Sequence, residues 1–190
     1  MPDKSALSYS ERAELRQKWR SSDMATVLKH WVNINGNKEV FGFHTSPPSL
    51  EVDLVEQHLQ RRTYDELDSN ACKIAGWLQA QQPAGQSRIL LVFPAGLDFI
   101  DALMGCFYAK FIAVPTTPPS AKKNRASASR FSAVVRDCQP DVILTTSVLR
   151  DLVASWIADI YTDAPCDPPL IETLESIHRQ DRGFRDAQNT

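Results

Sequence analysis

Arg88-Ile-Leu-Leu-Val-Phe-Pro-Ala-Gly-Leu-Asp-Phe-Ile-Asp-Ala-Leu-Met-Gly-Cys-Phe-Tyr-Ala-Lys-Phe-Ile-Ala-Val-Pro-Thr-Thr-Pro-Pro119 is the stretch on which the fold turns. Within the strand 88–93, Ile89 to Phe93 form an unbroken apolar run, the signature of a strand covered on both faces. Pro94 to Gly96 supply a turn. Residues 97–110 are almost wholly apolar at helical spacing, and the only polar residues expected at their surface are Asp98, Asp101 and Lys110. The two aspartates near the start and the lysine at the end suit the helix macrodipole. Phe111-Ile-Ala-Val114 then reads as a second buried strand that stops at Pro115. Strand, helix and strand in this order define a parallel βαβ crossover.

Working outward, the same alternation continues on the C-terminal side. Phe131, Val134, Val135 and Cys138 recur at i, i+3, i+4 and i+7, Pro140 closes that helix, and Asp141-Val-Ile-Leu-Thr-Thr146 supplies a third strand. Leu149, Leu152, Val153, Trp156 and Ile157 mark one further helix. On the N-terminal side, Thr63-Tyr-Asp-Glu66 is a capping box. The helix it opens carries Tyr64, Leu67, Ala71, Ile74, Ala75 and Leu78 on one face and ends near Pro83. Three strands separated by helices predict an α/β fold, a doubly wound, mainly parallel sheet with flanking helices.

The ends are less regular. Residues 1–22 read as a polar helical lead-in with Ser10 as its cap, and Asp23 caps a short helix bearing Met24, Val27, Leu28 and Trp31. Val40 to His44 is a strand, followed by a loop or hairpin insertion over 45–60. From Tyr161 onward the apolar pattern weakens around Pro165, Pro168 and Pro169, so 161–190 is expected to be an irregular tail.

The totals exclude several functions. A net charge of −2 over 190 residues gives no support to nucleic-acid binding. No apolar run reaches the ~18 residues of a membrane span, and no apolar N-terminal segment resembles a signal peptide. Cys72, Cys106, Cys138 and Cys166 form no C-x-x-C pair, and His30, His44, His58 and His178 have no second ligand at i+3 or i+4. Reduced structural cysteines, no metal and a cytoplasmic location follow as expectations.

Ligands of open parallel sheets bind beyond the carboxyl ends of the strands. Those ends are Phe93 to Gly96, Val114 to Thr117 and Thr145 to Ser147. Pro94 and Gly96 either let a backbone approach a small molecule or simply fit the bend. The seven glycines never fall two or three apart, so neither G-x-G-x-x-G nor a Walker loop is present, and no G-x-S-x-G elbow occurs. The basic stretch Lys122, Lys123, Arg125 and Arg130 is either the best remaining anion site or simply a solvated loop running into a helix, and nothing in the sequence pre-organises its side chains. No catalytic residue is assigned.

Tyr64-Asp-Glu-Leu-Asp68, the run from Arg88 to Pro119, and Arg130-Phe-Ser-Ala-Val-Val-Arg-Asp-Cys-Gln-Pro-Asp-Val-Ile-Leu-Thr-Thr-Ser147 together resemble the fatty-acyl-AMP ligases of the acyl-adenylating superfamily. The resemblance covers about residues 23 to 150. It implies that 23–160 is a partial N-terminal domain of an AMP-dependent synthetase/ligase. The complete enzymes use ATP and Mg to convert a fatty acid to an acyl-adenylate, usually passed to an acyl carrier protein or polyketide synthase. Their ATP loop and C-terminal lysine domain lie downstream of the matching segment and do not occur in residues 150–190. The resemblance therefore implies an N-terminal fragment, inactive alone and needing no cofactor itself, with Phe99, Leu103 and Phe107 walling part of an acyl tunnel. The alternative is a non-catalytic binding or regulatory module that keeps the fold.

Overall fold

The computed structural model describes residues 22–45, 59–81, 87–120, 125–162 and 164–180, together with Ser8, Ser10, Glu14, Gln17, Trp19 and Arg20. The lead-in helix and its Ser10 cap, the 45–60 connection, and Lys122 and Lys123 therefore fall largely or wholly outside the described residues. The Asp23 carboxylate accepts from the Thr26 amide at 2.7 Å and starts α1 (Met24–Asn35). β1 (Glu39–His44) and β2 (Leu59–Thr63) pair antiparallel, Gly42 opposite Arg61. The capping box is fully formed: the Glu66 amide donates to Thr63 Oγ1 at 3.2 Å, and the Thr63 amide donates to Glu66 Oε2 at 2.9 Å. It opens α2 (Tyr64–Ala80), which buries Leu67, Ala71, Ile74, Ala75 and Leu78, as its apolar stripe requires.

The crossover unit is present as β3 (Arg88–Val92), α3 (Leu97–Ala109) and β4 (Ile112–Thr116). α4 (Arg125–Cys138), β5 (Val142–Thr145), α5 (Ser147–Tyr161) and β6 (Leu170–Thr173) follow, and residues 174–180 are helical. The four strands form one parallel sheet in the order β4-β3-β5-β6. One face, Ile89, Leu91, Val142 and Leu144, packs on α2, α3 and the final helix through Ile74, Leu78, Cys106, Leu174 and Ile177. The other, Leu90, Val92 and Ile143, packs on α4 and α5 through Phe131, Val135, Val153, Trp156 and Ile157. Each fully buried Leu or Ile contributes on the order of 1.5–3 kcal/mol, so these two layers dominate the stability of the fold.

Three expectations are corrected. β4 does not stop at Pro115. The Ile112 amide donates to Ser87 O at 2.9 Å, so by the two-residue period the amides of 112, 114 and 116 face β3. The nitrogen of Pro115 points out of the sheet, where a missing N–H costs no ladder bond. Second, the tail over 161–190 is not irregular throughout. β6 begins directly after Pro168-Pro169, and Leu174 and Ile177 are 2% exposed. A four-residue strand is too short for periodicity to reveal it. Third, Asp101 is not on the surface of α3; its side chain is fully buried.

Candidate functional site

The sheet order places the topological switch point between β3 and β5, because the chain leaves β3 for β4 on one side and returns to β5 on the other. Beyond their carboxyl ends stand two of the three predicted segments. Phe93 is buried, Pro94 and Ala95 are exposed, and Gly96 is the N-cap of α3 with no side-chain cap. A Cβ added at Gly96 would meet nothing within 4 Å, so glycine is not needed there to avoid a clash. Across the crevice, Thr145 Oγ1 donates to Val92 O at 2.7 Å and ties the two strand ends together. Thr146 Oγ1 is buried without a hydrogen-bond partner among the described residues.

The N-terminus of α5 is already occupied. The Ser147 amide donates to both Glu175 carboxylate oxygens at 3.1 Å, and Ser147 Oγ donates to Oε1 at 2.9 Å. Burial pushes the Glu175 carboxyl up, but the hydrogen bonds from backbone and Ser147 outweigh it and hold it below its ordinary value. Glu175 thus caps the first turn of α5 from outside the helix.

Phe99, Leu103 and Phe107 follow one another at i+4 along α3, and all three are half-buried. Phe99 and Leu103 rest against the core cluster of Ile74, Leu91 and Cys106. Arg130 is exposed on α4.

Sequence reasoning missed a buried polar cluster centred on Asp101. Asp101 accepts from Arg62 Nη2 at 2.8 Å, Arg62 Nε at 3.0 Å and Asn70 Nδ2 at 2.9 Å. Asp98 lies 4.0 Å from the same guanidinium. Burial raises the Asp101 pKa, and Arg62 and Asn70 pull it back part of the way. Burial opposes the charge on Arg62, yet its carboxylate neighbours more than compensate and raise its pKa. A second polar clamp lies further along: Tyr108 Oη donates to Asp68 at 2.6 Å, and Lys29 Nζ lies 5.4 Å from the centre of the Tyr108 ring. Burial and this hydrogen bond raise the Tyr108 pKa. A signal was available in the sequence, since Leu97, Asp101, Gly105 and Ala109 repeat every four residues along the buried stripe of α3.

His178, on the final helix, is half-buried, and burial together with Lys73 depresses its pKa, while Asp101 and Asp98 act the other way and Arg62 adds to the depression. The unfolded chain therefore binds a proton at His178 more readily than the folded one. Stability from this residue is complete above the ordinary histidine pKa of about 6.5 and is lost as pH falls below it. Thermal melts from pH 7.5 to 5.0 are expected to fall more steeply for the native chain than for His178→Gln. Parallel curves would show that His178 does not titrate across folding.

A doubly wound α/β sheet with its crevice at the switch point is the class of protein that fold and site define. Within that class the chain belongs to the AMP-binding enzyme family, which matches residues 31–183. It is 37% identical over 148 residues to the long-chain-fatty-acid–AMP ligase FadD26 of Mycobacterium marinum, covering 77% of this chain and 23% of that protein. It is 41% identical over 90 residues to the medium-chain-fatty-acid–[acyl-carrier-protein] ligase JamA of Moorena producens, covering 47% of this chain and 15% of that protein. The crystal structure of a fatty acid AMP ligase from Legionella pneumophila superposes with a TM-score of 0.63 at 25% identity, over 87% of this chain and 26% of that one. The chain thus spans about a quarter or less of the relatives it matches. Among the described residues no helix is long and apolar enough to cross a membrane.

Proposed function

We propose that this chain is the opening segment of the adenylate-forming domain of a fatty-acyl-AMP ligase, contributing sheet and acyl-binding wall but not the chemistry of adenylation. The observation that carries this reading is the 37% identity over 148 residues to a long-chain-fatty-acid–AMP ligase, confined to 23% of that enzyme. The substrate class is a fatty acid, the co-substrate of the complete enzyme is ATP with Mg, and the acyl acceptor is a carrier protein or polyketide synthase.

Among the described residues, each of the two helix N-termini at the crevice carries a carboxylate, which disfavours a triphosphate there. At the N-terminus of α5 the Ser147 donors are already bound to a carboxylate. The first turn of α3 carries Asp98, and Arg62 beside it is engaged by Asp101. Donors aimed at developing charge typically contribute several kcal/mol each to chemistry of this kind, and in this reading the remainder of the domain supplies them. Fatty-acid-dependent exchange of labelled pyrophosphate into ATP should be undetectable with the purified chain; measurable exchange would overturn the proposal.

The acyl wall is assigned to Phe99, Leu103 and Phe107, with Pro94 and Gly96 at its mouth. Because these three side chains are half-buried rather than sealed in the core, truncating them forfeits fewer contacts than the full 2–5 kcal/mol of a core cavity. Phe99→Ala and Leu103→Ala are each expected to cost about 1–2 kcal/mol, or roughly 2–8 °C in Tm for a chain of this size. The packing role would be displaced if either variant melted like the native chain while losing a stabilisation by long-chain fatty acid. A fall in Tm with that stabilisation intact would remove the residue from the acyl wall.

A further inference from the structure

We infer that Asp101, with Arg62 and Asn70, is the rotational register of α3: this buried polar cluster decides which side of the helix meets α2, and so which side chains stand at the acyl wall. The three are positioning residues. What the inference says of the acyl wall rests on the reading of Phe99, Leu103 and Phe107 as that wall.

Hydrophobic burial alone does not fix the rotation of α3. Only Asp98, Asp101 and Tyr108 of its 13 residues carry a charge or a hydroxyl, and of the whole helix Asp98 alone is exposed. An amphipathic helix is oriented by its polar face, and α3 has almost none. The hydrophobic effect is also non-directional. Nor does steric fit single out one side. Gly105 lies against Ile74 of α2, but the adjoining stripe of Ala102, Cys106 and Ala109 is also built of small residues and is also buried. A rotation by one position, about 100° at roughly 3.6 residues per turn, would offer α2 that stripe instead.

The polar groups supply the direction that burial lacks. Asp101 accepts from Arg62 Nε at 3.0 Å and Nη2 at 2.8 Å, a fork that constrains angle as well as distance. Asn70 Nδ2 reaches the same carboxylate at 2.9 Å from α2, so Asp101 is held from two elements at once. Near the other end of α3, Tyr108 lies on the same stripe and donates to Asp68 at 2.6 Å. Turning the helix by one position would part Asp101 from both partners, and a buried charge without a partner is the misfit a fold least tolerates. Phe99 and Leu103 lie two positions to either side of Asp101 and so project from the opposite side of the helix. Whatever fixes Asp101 therefore fixes them. Net stability is not what such a pair chiefly brings, since apolar residues of like volume often replace it without loss, whereas setting a register is an attested use of buried polar groups.

The test is the full chain carrying Arg62→Met and Asp101→Leu together, read by alkylation of Cys106 with N-ethylmaleimide and peptide mass mapping. Cys106 has 0% exposure and burial pushes its thiol up to about 12, while Cys72 and Cys166 are exposed and serve as internal references. The double variant is expected to melt within about 3 °C of the native chain, yet to label Cys106 at least about tenfold faster. A pair that served stability alone would free Cys106 only as far as Tm fell, so native-rate labelling at an unchanged Tm overturns the register. If the double variant melts well below the native chain or does not fold, Asp101→Asn decides instead, since it keeps the shape and loses the charged fork. Cys106 labelled at the native rate in that variant overturns the register equally. Octanoic, dodecanoic and hexadecanoic acid then separate the register from the acyl wall. The three should raise the Tm of the native chain unequally, and the double variant should discriminate among them at least about threefold less. Faster labelling with no acid stabilising the native chain keeps the register and sinks the acyl wall. Faster labelling with undiminished discrimination keeps the acyl wall and strips Asp101 of its positioning role. Native-rate labelling with discrimination by the native chain sinks the register alone.

Discussion

Arg62→Ala is expected to destabilise the chain by about 3 kcal/mol and to lower its Tm by roughly 6–12 °C. The reason is the group left behind. Asp101 is fully buried, and three of its hydrogen bonds come from Arg62 and Asn70. Removing the guanidinium strands a carboxylate in a low-dielectric site with Asn70 alone, and breaking a buried pair from one side typically costs about 3–5 kcal/mol. The lower end applies because the Arg62 side chain keeps 24% of its surface and water can reach part of the site. Asp101→Asn removes the charge and should soften the loss, so the double variant is expected to be more stable than Arg62→Ala alone. Additive losses in a double-mutant cycle, measured by urea unfolding, would show that the two side chains do not act as a pair.

The same cluster shows why some of the molecule was legible in the sequence and some was not. α2, α3 and β3 are long enough, and buried on a single stripe or on both faces, that apolar periodicity states them outright; the capping box of Thr63 and Glu66 is written in four residues. β6 has four residues, two of them Glu172 and Thr173, and lies directly after Pro168-Pro169, so no local pattern separates it from a loop. It exists because β5 offers it a ladder, which is a non-local fact. Asp101 was misread for a related reason. Its charge type predicts exposure and suits the first turns of a helix, but the partner that permits its burial stands 39 residues earlier on β2. At the carboxyl edge, the position of Pro94 and Gly96 followed from the topology rule alone. That Glu175 fills the N-terminus of α5 did not, since it depends on where the unexpected final helix lands.

Gly105→Ala is expected to destabilise the fold by about 2 kcal/mol, although alanine is the better helix former. Within a helix the exchange of glycine for alanine is normally worth up to about 1 kcal/mol in favour of alanine. Here the added methyl would overlap both Cγ2 and Cβ of Ile74, on the helix packed across from it. A rotamer change can withdraw Cγ2, but Cβ is fixed to the backbone, so α2 and α3 would have to move apart. That interface seals Ala71, Ile74 and Cys106, each with 0% exposure, and it also holds the Tyr108–Asp68 and Asn70–Asp101 hydrogen bonds. Overpacking a tight core costs about 1–3 kcal/mol, and separating a whole helix pair lies at the upper end of that range, which leaves a net loss after the propensity gain. Gly105→Leu should abolish the cooperative transition altogether. Gly76, on the exposed side of α2 with nothing within 4 Å of its would-be Cβ, is the matched control: Gly76→Ala should stabilise by about 0.5–1 kcal/mol. Equal and favourable shifts at both positions would show that α2 and α3 do not meet at Gly105, and with that the buried site of Asp101 between them would lose its basis.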